Sequence, residues 1–245
     1  MKQVKQAALF FIIFLTALCS YATAQEYKVI DHVQLQQLLQ NDLRDFLLVD
    51  ARNPEEYQEA HISGAINIPE REFERFTGIL PSDKNAQLIF YCNGVKCGKS
   101  KKAAKKALDI GYTNVVVYAE GMPVWEETGY PFYKGSEYEK RIETTKLSPR
   151  ELKDLMDTDN DNIQVVDVRD KEEFDQGHIP GALNLPLDKF AMGSEQLDKK
   201  KKVIVYCNSG GRSYGAYRKL MRLGYKNIYQ AIFADWKEQG MPVSL

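Results

Sequence analysis

One stretch of this sequence occurs twice, and that repeat constrains the fold more than any other feature. Leu47-Leu48-Val49-Asp50-Ala51-Arg52 returns as Val165-Val166-Asp167-Val168-Arg169. The run from Glu55 through His61-Ile62-Ser63-Gly64-Ala65 to Pro69 returns from Glu172 through His178-Ile179-Pro180-Gly181-Ala182 to Pro186. Tyr91-Cys92-Asn93 returns as Tyr206-Cys207-Asn208, and Trp125 with Gly129 and Pro131 returns as Trp236 with Gly240 and Pro242. The offset is 117 residues at Asp50/Asp167, 115 at Cys92/Cys207 and 111 at Trp125/Trp236. Such a period is far longer than a solenoid repeat. It means two copies of one domain, which a chain of 245 residues can hold.

Each copy alternates strand and helix signals. Short apolar runs, Phe46–Val49, Leu88–Tyr91 and Asn114–Tyr118, then Gln164–Val168 and Val203–Tyr206, read as buried parallel strands. Helical segments lie between them: Val33–Gln40 and Ser100–Ile110, then Ser148–Met156 and Ser213–Leu223. Ser148 with Glu151 three residues later starts a helix as a capping box. Helices between parallel strands make a layered α/β domain. The expected division is a first domain over 25–133, a polar linker KGSEYEKRIETTK over 134–146, and a second domain over 147–245.

The chain opens on Lys2 and Lys5, a 12-residue apolar run Ala7–Leu18, and then Ala22-Thr23-Ala24. That is the three-part pattern of a secretory signal peptide over 1–24. An uncut membrane anchor is disfavoured by the short apolar run, which falls below the 18 residues of a spanning helix. Lipid attachment at Cys19 is disfavoured because Leu18 before it is not small. The mature protein is therefore expected outside the cytosol, periplasmic or secreted, with no membrane span. There thiols tend to oxidise. The three remaining cysteines, Cys92, Cys97 and Cys207, are odd in number, so at least one stays unpaired within the chain. A net charge of -1 gives no footprint for nucleic acid.

Cys92 and Cys207 share one special place. An apolar strand ends at Tyr-Cys, a glycine-containing loop follows, and a helix begins. In the second copy the loop is Asn208-Ser209-Gly210-Gly211-Arg212-Ser213. Successive backbone N–H groups and a helix N-terminus there stabilise an anion, and a thiolate is one. The Cys pKa should fall below the free value of about 8.5, and Arg212 adds a fixed charge. The bland alternative, a small buried hydrophobe, loses weight because both copies keep the whole arrangement.

These motifs resemble the rhodanese, or sulfurtransferase, family across residues 27–245: Asp50-x-Arg52, Asp167-x-Arg169, both His-Ile-x-Gly-Ala runs, both Tyr-Cys loops and both closing Trp-x3-Gly-x-Pro patterns. The resemblance implies two rhodanese-like domains, each a five-stranded parallel sheet flanked by helices. It implies a sulfane sulfur carried as a cysteine persulfide on Cys207, cradled by Asn208 to Ser213, with Arg212 orienting an anionic donor. It implies the same for Cys92 with Asn93, Gly94, Val95 and Lys96, and it implies no metal and no cofactor. The partners would be a small anionic donor such as thiosulfate or polysulfide and a thiol or cyanide acceptor. The first loop departs from the pattern: it is two residues longer, has Lys99 where Arg212 stands, and contains Cys97, a candidate resolving thiol that could form a disulfide with Cys92. The second copy lacks the expected Gly-Gly before its closing helix, running Ala231-Ile232-Phe233. Two alternatives remain: a non-catalytic sulfur-carrier module of an exported redox system, and a Cys-dependent phosphatase, whose loop would need five residues between Cys and Arg where the second copy has four.

Among the other polar residues, Asp50 with Arg52 and Asp167 with Arg169 read as structural pairs at strand ends. His61 and His178 lack a second ligand at metal spacing and read as hydrogen-bonded structural residues. The lysines from Lys96 to Lys106 read as a solvated helix face; the alternative is a role in concentrating anionic donors.

Overall fold

The computed structural model describes residues 26–41 and 45–245. The expected signal peptide and Cys19 lie outside them.

The first domain holds a five-stranded, all-parallel sheet in the order Lys28–Ile30, Val115–Tyr118, Gln87–Tyr91, Phe46–Asp50, Ile66–Asn67. Its strands are near-continuous apolar runs because both faces are covered. Leu88, Phe90, Val49 and Val117 pack to one side, against Ala103, Ala104 and Ala107 of the helix Lys99–Asp109. Ile89, Tyr91, Leu48, Val116 and Tyr118 pack to the other, with Leu35 and Trp125. The alanine face lets that helix lie close on the sheet and turns Lys102 and Lys105 to solvent.

The second domain repeats this order with four strands: Ile228–Ile232, Lys202–Cys207, Ile163–Asp167, Leu183–Asn184. The fifth strand of the resemblance is reduced to a single parallel bridge, Lys146 beside Gln230. Lys28-Val29-Ile30 of the first copy matches Thr145-Lys146-Leu147 of the second, where Leu147 still packs on the core but only Lys146 keeps the bridge.

The 134–146 segment is docked rather than free. Phe132–Lys134 pairs antiparallel with Ala60–Ile62. Tyr138 is 7% exposed, and its hydroxyl donates to Glu126 at 2.5 Å. The far end of the helix Gly211–Arg222 grips the first domain. Arg222 meets Glu126 and Glu59, each at 2.7 Å. Lys219 pairs with Glu127, whose carboxylate also accepts from the backbone of Ala191 at 2.8 Å and Met192 at 3.2 Å. Among the described residues no helix is long and apolar enough to cross a membrane.

Candidate functional site

Each cysteine stands at the carboxyl end of a central strand, above a buried ion pair. Arg52 donates to Asp50 through Nε at 3.0 and 3.1 Å and through Nη2 at 2.6 Å, and to the Ala60 carbonyl at 2.6 Å. Arg169 does the same with Asp167 and the Gly177 carbonyl. All four side chains are buried. A buried charge persists only when paired and hydrogen-bonded, so these pairs are structural, as the sequence suggested. His61 and His178 are also structural. Each ring stacks on an aromatic, Tyr57 or Phe174, at 3.8 Å, and places Nδ1 against a backbone carbonyl.

The asparagine after each cysteine braces the loop instead of facing a ligand. Asn208 donates to Glu173 at 2.8 Å and accepts from Arg169 at 3.5 Å. Asn93 donates to Glu56 and accepts from Arg52 at 3.3 Å. Glu56 and Glu173, which the sequence reading passed over, are hubs. Glu173 also takes both ends of the Arg212 fork, at 2.5 and 2.9 Å, and Glu56 takes Lys99 at 2.8 Å. Arg212 was expected to present its fork to a donor. Glu173 takes one N–H from each Nη, with Asp170 3.5 Å away, which fixes the guanidinium beside the loop.

In the second loop the backbone converges on one sulfur. Gly210 adopts φ 101° at the start of the helix. That turn lets the N–H groups of Gly210 and Ser213 point at Cys207 Sγ from 3.2 and 3.3 Å. The Ser213 hydroxyl lies 3.5 Å away. Burial alone would push the Cys207 thiol up. The Ser213 hydroxyl and the N–H groups of Ser213, Gly210 and Ser209 outweigh it and hold the thiol below its ordinary value. Behind Ser213 stands buried Gln230, whose amide donates to Ser213 Oγ and to the Gly210 carbonyl, both at 2.8 Å. Gln230 in turn accepts from Thr144 at 2.7 Å. Ser213 Oγ accepts from Gln230 and donates to the Gly210 carbonyl at 3.2 Å, so its proton serves a thiolate by turning from that carbonyl to the sulfur. A cleft of about 1010 Å³ opens beside Ser209, Gly210 and Gly211, with Arg141 and Lys146 among its walls.

The first loop is built differently. Cys97 N–H donates to the Gly94 carbonyl at 2.9 Å, and Gly94 and Gly98 take φ 99° and 79°. The same Gly94 carbonyl accepts from Cys92 Sγ at 3.9 Å, so the turn sets Cys97 beside Cys92. Both are free thiols. Among the described contacts, Cys92 Sγ faces Ser100 Oγ at 3.3 Å and the Gly94 carbonyl at 3.9 Å. The N–H groups of Lys99 and Asn93 serve Cys97. The pair therefore gives up one proton easily and the second with difficulty. Cys97 drops to about 6, through the Cys92 hydrogen bond, those N–H groups and the Lys99 charge, against a cost of burial. Cys92 is held up by Cys97 and by burial.

Three residues outside the expected list shape this loop. Gly121, at φ 72°, would place a Cβ 2.2 Å from the Cys92 carbonyl, so glycine is required for the closing helix to meet the longer loop. In the second copy Ile232 and Phe233 lead into the closing helix without a glycine, and Ala234 N–H meets the Asn208 carbonyl at 3.2 Å. Lys199, from the second domain, is lowered by burial and drawn back by the Cys97 and Cys92 sulfurs. Val117 takes the place that Gln230 occupies in the second copy, each paired to the residue before the Tyr-Cys. Lys96, expected to meet substrate, instead donates to the Leu197 carbonyl at 2.5 Å, and Val95 lines the same domain boundary. Among the described residues no cluster of His, Cys, Asp and Glu could hold a metal ion.

The arrangement of strand-end cysteine, anion-cradling loop and helix, repeated twice, agrees with a comparison to family models: the rhodanese-like domain matches residues 31–128 and 148–238. The chain belongs to the rhodanese-like domain family. Individual relatives match about one rhodanese-like domain each. A sulfurtransferase of Allochromatium vinosum is 38% identical over 105 residues, 42% of this chain and 92% of that one. A thiosulfate sulfurtransferase of Coxiella burnetii is 38% identical over 78 residues, 31% of this chain and 73% of that one. A thiosulfate:glutathione sulfurtransferase of Saccharomyces cerevisiae is 37% identical over 95 residues, 34% and 66% of the two chains. Among solved structures, a thiosulfate sulfurtransferase from Pseudomonas aeruginosa matches 89% of this chain and 43% of its own, at 20% identity and a TM-score of 0.37.

Proposed function

We propose that this protein is a sulfurtransferase that carries a sulfane sulfur as a persulfide on Cys207. The Cys207 thiolate attacks the outer sulfur of thiosulfate, forming Cys207–S–S⁻ and releasing sulfite. A thiol or cyanide then takes the terminal sulfur and restores the thiolate, a double displacement. A polysulfide serves in the same way, with a shorter polysulfide leaving. The observation that carries this reading is the pair of N–H groups at 3.2 and 3.3 Å on Cys207 Sγ, with the Ser213 hydroxyl beside them. Donors fixed in that geometry stabilise negative charge without reorganising. The cleft beside Ser209–Gly211 gives donor and acceptor a way in. The sulfurtransferase names of the similar proteins support the same chemistry. The leader pattern over 1–24 supports export of the mature chain.

The deciding experiment is thiosulfate:cyanide turnover by the mature chain, with Cys207→Ser alongside and the intact mass read after thiosulfate alone. Turnover that needs Cys207, with one sulfur gained there, is expected. Sulfur gained on Cys207 without turnover would instead favour the carrier module.

A further inference from the structure

Cys97 is a nucleophile for which the proposed function has no use. The Gly94 carbonyl accepts from Cys97 N–H at 2.9 Å and from Cys92 Sγ at 3.9 Å, which sets the two cysteines side by side. The second loop has no cysteine at the matching place, and its Ser209, Gly210 and Gly211 line a cleft. The two thiols of the first loop are unequal in access: Cys92 is 1% exposed, whereas Cys97 is partly exposed. The N–H groups of Asn93 and Lys99 serve Cys97, and two cations, Lys99 and Lys199, act on it. An anionic sulfur donor would therefore meet Cys97 first, with a second thiol already behind it.

We propose that the first loop is a dithiol site that reduces sulfane sulfur to sulfide, with Cys97 taking the sulfur and Cys92 discharging it. This rests on the sulfane-sulfur chemistry proposed above. The Cys97 thiolate attacks thiosulfate, giving Cys97–S–S⁻ and sulfite. Cys92 Sγ then attacks Cys97 Sγ, and the bond between Cys97 Sγ and the terminal sulfur breaks. The departing sulfur takes the electron pair and the Cys92 proton, and leaves as HS⁻. The terminal sulfur is reduced, the two thiols are oxidised, and a Cys92–Cys97 disulfide remains. An external dithiol reopens it by exchange. Lys199, from the second domain and held on the Leu223 carbonyl, adds a modest charge effect on these thiols.

The test uses the reduced mature chain, free of oxygen and added thiol, with thiosulfate as the probe. Sulfide is assayed, and digestion followed by mass spectrometry locates persulfides and disulfides. The expected result is one sulfide for each Cys92–Cys97 disulfide, with a persulfide on Cys207 in the same sample. In Cys92→Ser, sulfide should fall at least tenfold while a persulfide accumulates on Cys97. A persulfide on Cys207 beside untouched Cys92 and Cys97 would overturn this inference and leave the sulfurtransferase reading standing. No sulfur on any cysteine would overturn both. A disulfide formed without sulfide, or undiminished sulfide from Cys92→Ser, would also overturn it.

Discussion

The two cysteine loops start from the same strand end and helix start, yet they stabilise negative charge on different sulfurs. In the second loop, four residues between Cys207 and Arg212 bring the Gly210 and Ser213 N–H groups onto Cys207 itself. In the first, six residues before Lys99 give room for a turn that brings a second thiol, Cys97, beside Cys92, with Ser100 Oγ 3.3 Å from Cys92 Sγ. The supports behind the loops differ too. Gln230 orders the Ser213 hydroxyl in one copy, while apolar Val117 holds the matching place in the other. Two inserted residues therefore do more than lengthen a loop: they place a second thiol beside the strand-end cysteine.

The strongest way to break this comparison is to remove the cysteine of the second loop. Cys207→Ser should cut thiosulfate:cyanide turnover by about 10³-fold or more, as loss of the nucleophile does in other covalent catalysts. If the variant retains turnover within tenfold of the parent, the first loop carries the reaction and the contrast is wrong.

Gly121→Ala strikes at the first loop alone. Its Cβ would meet the Cys92 carbonyl at 2.2 Å on a backbone with φ 72°. Strain and overpacking together should cost about 3 kcal/mol. Urea unfolding followed by fluorescence reads the loss, while Cys207 alkylation in the folded variant should keep its rate.

Ser213→Ala sharpens the second loop. A hydrogen bond to a charged group is worth about 1.5–3 kcal/mol, or about 1–2 pH units. The folded Cys207 thiol lies below its ordinary value, so alkylation should stay fast as pH falls toward that value and slow below it. The variant should move the inflection upward by that amount, and an unmoved profile would show that Ser213 does not serve the thiolate.

Arg212→Lys keeps the charge but loses the two-point contact with Glu173. A loss of about tenfold in kcat/KM for thiosulfate is expected, the lower end of the range for a charge-assisted bond. The smallest effect is that of Lys199→Ala. A partly screened charge pair is worth about 0.2–1 kcal/mol, so the Cys97 thiol, now near 6, should rise by less than about 0.7 of a unit. Alkylation of Cys97 against pH would show it, and a fall would place the lysine elsewhere.

The repeat, the strand–helix alternation and the strand-end cysteines were legible in the sequence because each is a local pattern: period-two burial, a capping box, a glycine beside a Tyr-Cys. The buried Asp50–Arg52 and Asp167–Arg169 pairs were legible for the same reason, with partners two residues apart. The pairing of Arg212 with Glu173 was not. It joins residues 39 positions apart, and a free arginine fork reads the same in sequence as a filled one. Gln230 was not singled out, because no strand was read over 228–232, although its departure from the matching Val117 was a signal within reach.

What the sequence determined by itself was two α/β copies, each with a cysteine at the mouth of an anion-cradling loop, since strand, turn and helix signals act over a few residues. The tertiary structure decided which sulfur each cradle serves. That choice depends on where backbone N–H groups point after Gly94, Gly98 and Gly210 have turned the chain. It also depends on what comes to rest behind the loop: Gly121 from the closing helix, Gln230 from the neighbouring strand, and Lys199 from the other domain. Charge and hydrogen bonding fall off within a few ångströms, so contacts between residues distant in the chain set the chemistry, and only the packed fold brings them together.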